Sequence, residues 1–213
     1  DTLDNHLRLT RTGQGGAGAA WYTTSKAGLN AGFRTTFRTS IHNGTADGFA
    51  FVIQDAAADA LGGTGSDLGY SGIARSVAIE FDTFWFGDEF NGAHVSVQTR
   101  GVDSNTFEDS ASLAHAFLPD SFTDGSSHEI VIEYTSGRLY VRLDGDTILF
   151  CPLDLGQLDS GGQLFNDNGC AWVGFTGGAG GATADQLIES WDFTDWTNVA
   201  CGPLSPEQFE DPQ

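Results

Sequence analysis

A chain of 213 residues can bury one substantial core unaided, as one domain or at most two small ones. Its 29 glycines are too many for a helical bundle and lack the three-residue period of collagen; with 39% hydrophobic and 18% charged residues, turn-rich β structure is expected. Nine Lys+Arg against 29 Asp+Glu leave a formal charge of −20, which repels phosphate backbones and anionic membrane surfaces, excludes nucleic acid as a partner and suits hard cations held by oxygen ligands.

In chain order, His6 to Thr12 alternates, with Leu7 and Leu9 against Arg8 and Thr10. Phe33 to Ile41 carries Phe33, Phe37 and Ile41 on one face, the two-residue period of a half-buried strand. Asn43-Gly44-Thr45 is an N-glycosylation acceptor in a turn-like setting. Phe49 to Gln54, Val77 to Phe81 and Val95 to Thr99 read as further strands, and only Asp55 to Leu61 hints at a helical turn or two. Glu129 to Thr135 and Leu139 to Leu143 flank Ser136-Gly137-Arg138 as a hairpin, Asp144-Gly145 closes another turn, and Val173 to Phe175 and Leu187 to Phe193 complete the set. Many short strands with regular turn signals predict an all-β antiparallel sandwich or jelly roll over residues 1–198. Residues 199–213, acidic and proline-containing, read as a tail or linker.

No run of 18 apolar residues exists, so no membrane insertion is expected. The start Asp1-Thr2-Leu3-Asp4 lacks a basic segment followed by a hydrophobic stretch and reads as a processed, secreted, extracellular form. Of three cysteines, Cys151 and Cys170 sit at two strand ends joined by about 20 residues and are expected to pair. Cys201 is left over, available to another chain of a homo-oligomer or extracellular assembly.

The densest chemistry lies in Val77-Ala78-Ile79-Glu80-Phe81-Asp82-Thr83-Phe84, followed by Asn91-Gly92-Ala93-His94. Glu80 and Asp82 leave the same face of one strand, about 6.5 Å apart. Two like charges there call for a metal, an arginine or bulk water. With Asp88 or Glu89 and His94 they make an O/O/O/N donor set suited to Ca2+ or Mn2+.

Leu7-Arg8-Leu9-Thr10, Ala20-Trp21-Tyr22, Ala46-Asp47-Gly48-Phe49-Ala50-Phe51-Val52-Ile53-Gln54, Leu68-Gly69-Tyr70, Ser76 to Thr83, His94-Val95-Ser96-Val97, Ala171 to Thr176 and Ser190-Trp191-Asp192-Phe193 stand in the order seen in L-type, legume-like lectin domains. This ordered set spans about residues 3 to 195 and resembles that family. The resemblance implies a concanavalin-like jelly roll that binds glycans or glycoproteins through loops ordered by Ca2+, often beside Mn2+ or another transition metal. It implies transition-metal ligands in Glu80, Asp82 and His94, with Asp82 shared by calcium, the Phe84 carbonyl on calcium, and Asp88, Glu89 or neither as the second shared carboxylate. It implies a sugar-binding aspartate at Asp47 after a cis Ala46–Asp47 peptide, a backbone contact near Ser66 in the loop from Gly62 to Gly69, and a specificity loop from Thr176 to Asp185 that includes Gly180 and Gly181. Trp85 falls in the same loop region and is assigned to stacking on a sugar ring.

Two features depart from that pattern. Phe86 stands where the family's pattern has an asparagine serving calcium and sugar, and the loop before His94 is shorter. The function expected is therefore a secreted calcium-dependent carbohydrate-binding module. The alternative is a structural or adhesive module with the same fold and weakened sugar binding. Hydrolysis is not expected, because laminarinase-type enzymes of this architecture resemble Glu-x-Asp-x-x-Glu and Trp85 occupies the third position. Trp21, Trp172, Trp191 and Trp196 read as core or edge residues, and His6, His42, His115 and His128 as structural or surface ones.

Overall fold

A computed structural model describes residues 1–26, 28–85, 90, 92–135, 137–156, 165, 170–196 and 201. Among the described residues the regular structure is thirteen strands and three single 3-10 turns, the strands being β1 (Thr2–Leu3), β2 (His6–Thr10), β3 (Gly16–Trp21), β4 (Gly32–His42), β5 (Gly48–Gln54), β6 (Ser76–Asp82), β7 (His94–Thr99), β8 (Ser112–Phe117), β9 (His128–Thr135), β10 (Arg138–Leu143), β11 (Asp146–Pro152), β12 (Trp172–Ala179) and β13 (Asp185–Asp195). They form a seven-stranded sheet in the order β1-β2-β13-β4-β9-β10-β11 and a six-stranded sheet in the order β3-β12-β5-β6-β7-β8. Every ladder is antiparallel. This is the predicted jelly-roll sandwich, and among the described residues no helix is long and apolar enough to cross a membrane.

Period-two alternation places the core. Phe33, Phe37 and Ile41 of β4 point inward, as do Phe49, Phe51 and Ile53 of β5 and Val77, Ile79 and Phe81 of β6, all fully or almost fully buried. Their rings interlock across and within the sheets: Phe37 meets Phe175 of the opposite sheet at 4.9 Å between centroids, and Phe49 stacks on its neighbour Phe81 at 5.0 Å. The outward-facing residues of β5 and β6 are buried as well. The segment 55–75 folds over them, and its Leu68, Tyr70 and Ile73 pack on Ala50, Val52 and Ala78 as a second apolar cluster. Glu80 and Asp82 are on this outward face, so the covering loop seals two carboxylates into the protein rather than leaving them in water.

Three expectations are corrected. Asp55 to Leu61 forms turns, not helix; of its apolar residues only Ala60 packs on the second cluster and Leu61 is half exposed, so there is no buried face for a helix to present. Trp196, expected in the core or at an edge, is about half exposed and lays its ring over Gly32, where a Cβ would stand 2.1 Å from it, which is no departure from that expectation. The disulfide joins Cys170 to Cys201, whose Cα atoms are 6.1 Å apart, and Cys151 is a buried free thiol. The physical reason is topological: Cys151 is on β11 at the edge of the seven-stranded sheet with its side chain in the core, while Cys170 leads into β12 of the opposite sheet. Cys201 is therefore spent within the chain, not on a partner. The rest of the expected 199–213 tail lies outside the described residues.

Burial pushes the Cys151 thiol up to about 11. A thiol titration with an aromatic disulfide reagent should accordingly count no reactive cysteine in the native protein and one in denaturant without reductant. Two or three in denaturant would contradict the Cys170–Cys201 bond.

Candidate functional site

The end of β6 and the start of β5 lie side by side, because Gly48 pairs with Asp82. The loop before β5 carries the cis Ala46–Asp47 peptide that the resemblance implied. Asp47 is tightly knitted: its amide donates to the Gly178 carbonyl (3.2 Å), and its carbonyl accepts from the Thr83 amide (2.9 Å) and hydroxyl (3.1 Å). Thr83 Oγ1 also donates to the Thr45 carbonyl at 2.5 Å. The residue directly after Asp82 thus ties the chain before Asp47 to the chain after it.

Three loops converge on the Asp47 carboxylate. A Cβ on Gly180 would stand 3.0 Å from Asp47 Oδ2, and one on Gly65 would stand 3.6 Å from it. On Gly178 a Cβ would press within 2.3 Å of the Gly65 carbonyl oxygen, so the approach of these loops depends on bare backbone. Asp47 Oδ2 itself is buried and accepts no hydrogen bond. Burial raises the Asp47 carboxyl above its ordinary range, and the Gly180 amide offsets part of that rise. The structure brings Asp47, the Gly65–Ser66 turn and Gly180–Gly181 together. Phe84 and Trp85, which follow Thr83, are 39% and 49% exposed and are the large exposed side chains of this rim. Phe86, Asp88 and Glu89 lie outside the described residues.

The buried carboxylates below this rim differ from each other. In the β6–β7 ladder Asp82 faces His94 and Glu80 faces Ser96. Glu80 is engaged by protein donors at both oxygens: Oε1 accepts from Ser96 Oγ (2.5 Å) and Gln98 Nε2 (3.0 Å), and Oε2 accepts from Tyr70 OH (2.5 Å). Burial and the neighbouring Glu80 carboxylate push the Tyr70 phenol well above its ordinary range, so it remains a donor. Asp82 Oδ1 accepts from the Phe84 amide at 2.8 Å and so fixes the turn out of β6.

His94 Nδ1 meets the Gly92 carbonyl at 3.1 Å, which leaves Nε2 pointing inward with no partner. Nε2 stands 3.8 Å from Glu80 Oε1 and 3.7 Å from Asp109 Oδ1, and Asp109 Oδ1 is also buried and unpartnered. Burial disfavours charge on the imidazole, but Glu80, Asp82 and the Gly92 carbonyl outweigh it and push the His94 pKa up to about 9. Burial raises the Asp109 carboxyl, opposed by the Phe90 amide that donates to its Oδ2 and by His94.

Asp109 has no counterpart in the sequence reading. It follows Asp82 by 27 positions and reaches His94 through the fold of the short turn Asp109–Ala111 before β8, where its Oδ1 stands 3.7 Å from His94 Nε2 and its Oδ2 accepts from the Phe90 amide. Its sequence neighbours carry no metal-ligand spacing. Among the described residues no group of three or more His, Cys, Asp and Glu side chains closes on one point.

Asn43, the glycosylation candidate, is exposed, and its Nδ2 donates to Asp185 Oδ2 at 2.9 Å. Burial alone lifts Asp185, but Asn43, the Thr12 amide and Arg8 outweigh it and hold the carboxyl below its ordinary range. Glu189 is likewise held down, its burial outweighed by the hydroxyls of Ser127 and Ser40. A carboxyl depressed by folding stabilises the native state above its unfolded pKa and loses that contribution as pH falls through the lower native value. Urea unfolding should therefore show stability declining below about pH 4, with a shallower decline in Asp185→Asn. An unchanged slope in that variant would contradict the assignment.

Residues 2–201 match the family model of the legume lectin domain. The fold is similar to a lectin from Bauhinia forficata in complex with GalNAc (25% identity, 90% of this chain and 87% of that one, TM-score 0.70). It is also similar to the metal-free form of lectin I-B4 from Griffonia simplicifolia (24% identity, 91% and 89%, TM-score 0.68). The exoplasmic/lumenal domain of VIP36 in its Ca2+/Man-bound form shares the architecture at 17% identity, over 91% of this chain and 79% of that one, with a TM-score of 0.64. Matched along nearly its whole length, the chain belongs to the legume lectin domain family.

Proposed function

We propose that this protein is a secreted carbohydrate-binding module whose combining site is formed by Asp47, the backbone at Gly65–Ser66, the loop at Gly180–Gly181 and the exposed ring of Trp85. The observation that carries this reading is Oδ2 of the Asp47 carboxylate, buried yet without a donor, at the meeting point of loops whose glycines leave room beside it. A buried carboxylate oxygen without a partner is costly, and vicinal sugar hydroxyls are the donors that relieve it. Trp85, half exposed two residues beyond Thr83, supplies an apolar face for a pyranose ring. The GalNAc complex of the Bauhinia forficata lectin supports the same ligand class.

A hard divalent cation fits the second half of the site. The unpartnered His94 Nε2 and Asp109 Oδ1 are the kind of inward-facing donors such an ion satisfies, and Asp82 lies across the ladder from His94. Asp82, His94 and the Phe84 carbonyl would contribute to holding it, with Asp109 beside His94; because no three described side chains meet on one point, the set would be completed by Asp88, the other carboxylate expected from the sequence, which lies outside the described residues. Ca2+ suits the oxygen-rich set, with Mn2+ the alternative where His94 ligates. Glu80 accepts from Tyr70, Ser96 and Gln98, so those three donors hold it in place, and a ligand role would use the lone pair they leave on Oε2. When bound, the ion supplies a fixed positive charge that orders the turn after β6. Thr83 passes that order to Asp47 through its two hydrogen bonds to the Asp47 carbonyl.

We assign no hydrolytic step. Glu80 is locked beneath the loop 55–75, and Trp85 stands where a third acid would be needed. Glycan-array binding should appear in calcium, vanish on chelation and return when calcium is restored. Binding unaffected by chelator would overturn the cation's role, and no binding under any condition would leave the scaffold alternative.

A further inference from the structure

A second cleft of about 410 Å3 lies between β2 and β3, lined by Asp1, Arg8, Arg11, Gln14 and the glycine- and alanine-rich start of β3. Its walls are nearly free of side chains, since a Cβ on Gly16 would meet nothing within 4 Å. Its polar end is a pair of guanidinium groups. Arg8 is 10% exposed, and its Nε and Nη2 donate to Asp1 Oδ1 and Oδ2 at 2.9 Å each. Arg11 Nη2 donates to Asp1 Oδ2 at 2.7 Å. Two of the chain's nine cations thus grip one carboxylate in a bidentate fork. Arg8 is further fixed by Asp185, with Nη1 3.6 Å from Oδ1. Asp1 and Arg11 are each about half exposed, so solvent reaches the carboxylate now in the fork and an incoming carboxylate can compete with it for the same donors.

The cleft shares a wall with the Asp47 site. A Cβ on Gly15 would stand 3.0 Å from the Gly180 carbonyl oxygen, and Gly180 borders Asp47 Oδ2. The Gly13 amide donates to Thr183 Oγ1 (2.8 Å) and the Thr12 amide to Asp185 Oδ1 (3.2 Å), so the β2–β3 turn is tied to the loop after β12.

We propose that this cleft is a second saccharide subsite that takes a carboxylate-bearing sugar unit, a hexuronate, with Arg8 and Arg11 gripping its carboxylate in place of Asp1. The fork as it stands shows the chemistry accepted: a planar carboxylate bound by three N–H donors. The volume falls in the range of small-ligand sites and admits one sugar ring. That the carboxylate arrives on a sugar rests on the Asp47 reading, because the two sites adjoin; that the cleft takes a carboxylate does not.

The test is NMR titration of the full chain, observing the Arg8 and Arg11 side-chain Nε–Hε resonances, with glucuronate, glucose and acetate as probes. Glucuronate should shift both resonances, glucose should not, and acetate should act only at several-fold higher concentration. Asp1→Asn, which removes the internal occupant, should tighten glucuronate binding by on the order of three-fold, and Arg11→Gln should weaken it by a similar factor. Both effects should persist in Asp47→Asn, which separates this cleft from the first site. Equal responses to glucose and glucuronate, or Asp1→Asn and Arg11→Gln indistinguishable from wild type, would overturn the cleft. Acetate as effective as glucuronate would overturn its saccharide identity. Neutral glycans bound at Asp47 without uronate preference would remove the cleft alone, and uronate in the cleft without any glycan at Asp47 would remove the lectin reading alone.

Discussion

Asp47→Asn is expected to reduce glycan binding by about a hundredfold or more, which in an array experiment is complete loss. The substitution keeps the side chain's shape and leaves the backbone bonds to Gly178 and Thr83 intact. What it removes is the charge that makes the carboxylate a strong double acceptor. Each charge-assisted hydrogen bond to a sugar hydroxyl contributes about 1.5–3 kcal/mol, and two of them account for at least that factor. Thermal melting should be unchanged or slightly raised, because the buried unpartnered oxygen is a cost in the free protein. Isothermal titration with a ligand chosen from the array measures the first effect, and calorimetric melting the second. Retained affinity in a folded variant would refute the assignment of Asp47.

Glu80→Ala is the most destabilising substitution expected at the site. It strands three donors in a fully buried setting: the Tyr70 hydroxyl, the Ser96 hydroxyl and the Gln98 amide. Tyr70 keeps a longer contact of 3.2 Å to the Thr106 carbonyl, and Gln98 keeps one of 3.0 Å to Ser96, so the loss is partial for each. A cost of about 3–5 kcal/mol follows from breaking a buried charged network by removing its centre. For a domain of this size that corresponds to a melting temperature lowered by roughly 10 °C. The diagnostic is that the loss should be the same in chelator and in calcium. If Glu80 were a direct ligand, its removal would matter chiefly in calcium, and a melting shift confined to that condition would refute the scaffolding role.

Strands built from β-branched and aromatic residues with clean alternation were legible from the residues alone: Phe33, Phe37 and Ile41 face the core as their spacing requires. β3 was not, because Gly-Ala-Gly-Ala-Ala-Trp has neither β-branching nor polarity contrast; its small residues are there to let β2 and β12 approach, as Gly18 does against the Leu9 carbonyl. β8 inverts the usual pattern, with Leu113 and Phe117 outward and alanines inward, so alternation gave no sense of its facing.

The candidate site divides in the same way. Asp47, Asp82 and His94 carry local signatures, whereas Asp109 depends on a fold of the chain that sequence spacing does not encode. Glu80 was correctly placed on one face with Asp82, yet its partners came from Tyr70 in a covering loop and from β7, which the residue pattern does not reveal. The cysteine pairing failed because proximity along the chain does not report which sheet a strand joins.

Cys170 sits at the opposite end of β12 from Gly180, ten residues of nearly extended chain away, or about 30 Å. By anchoring Cys201 there, the disulfide closes the sandwich at the end of β12 remote from Gly180. Immobilising the domain at that end, rather than beside Asp47, should leave the glycan-facing rim unobstructed.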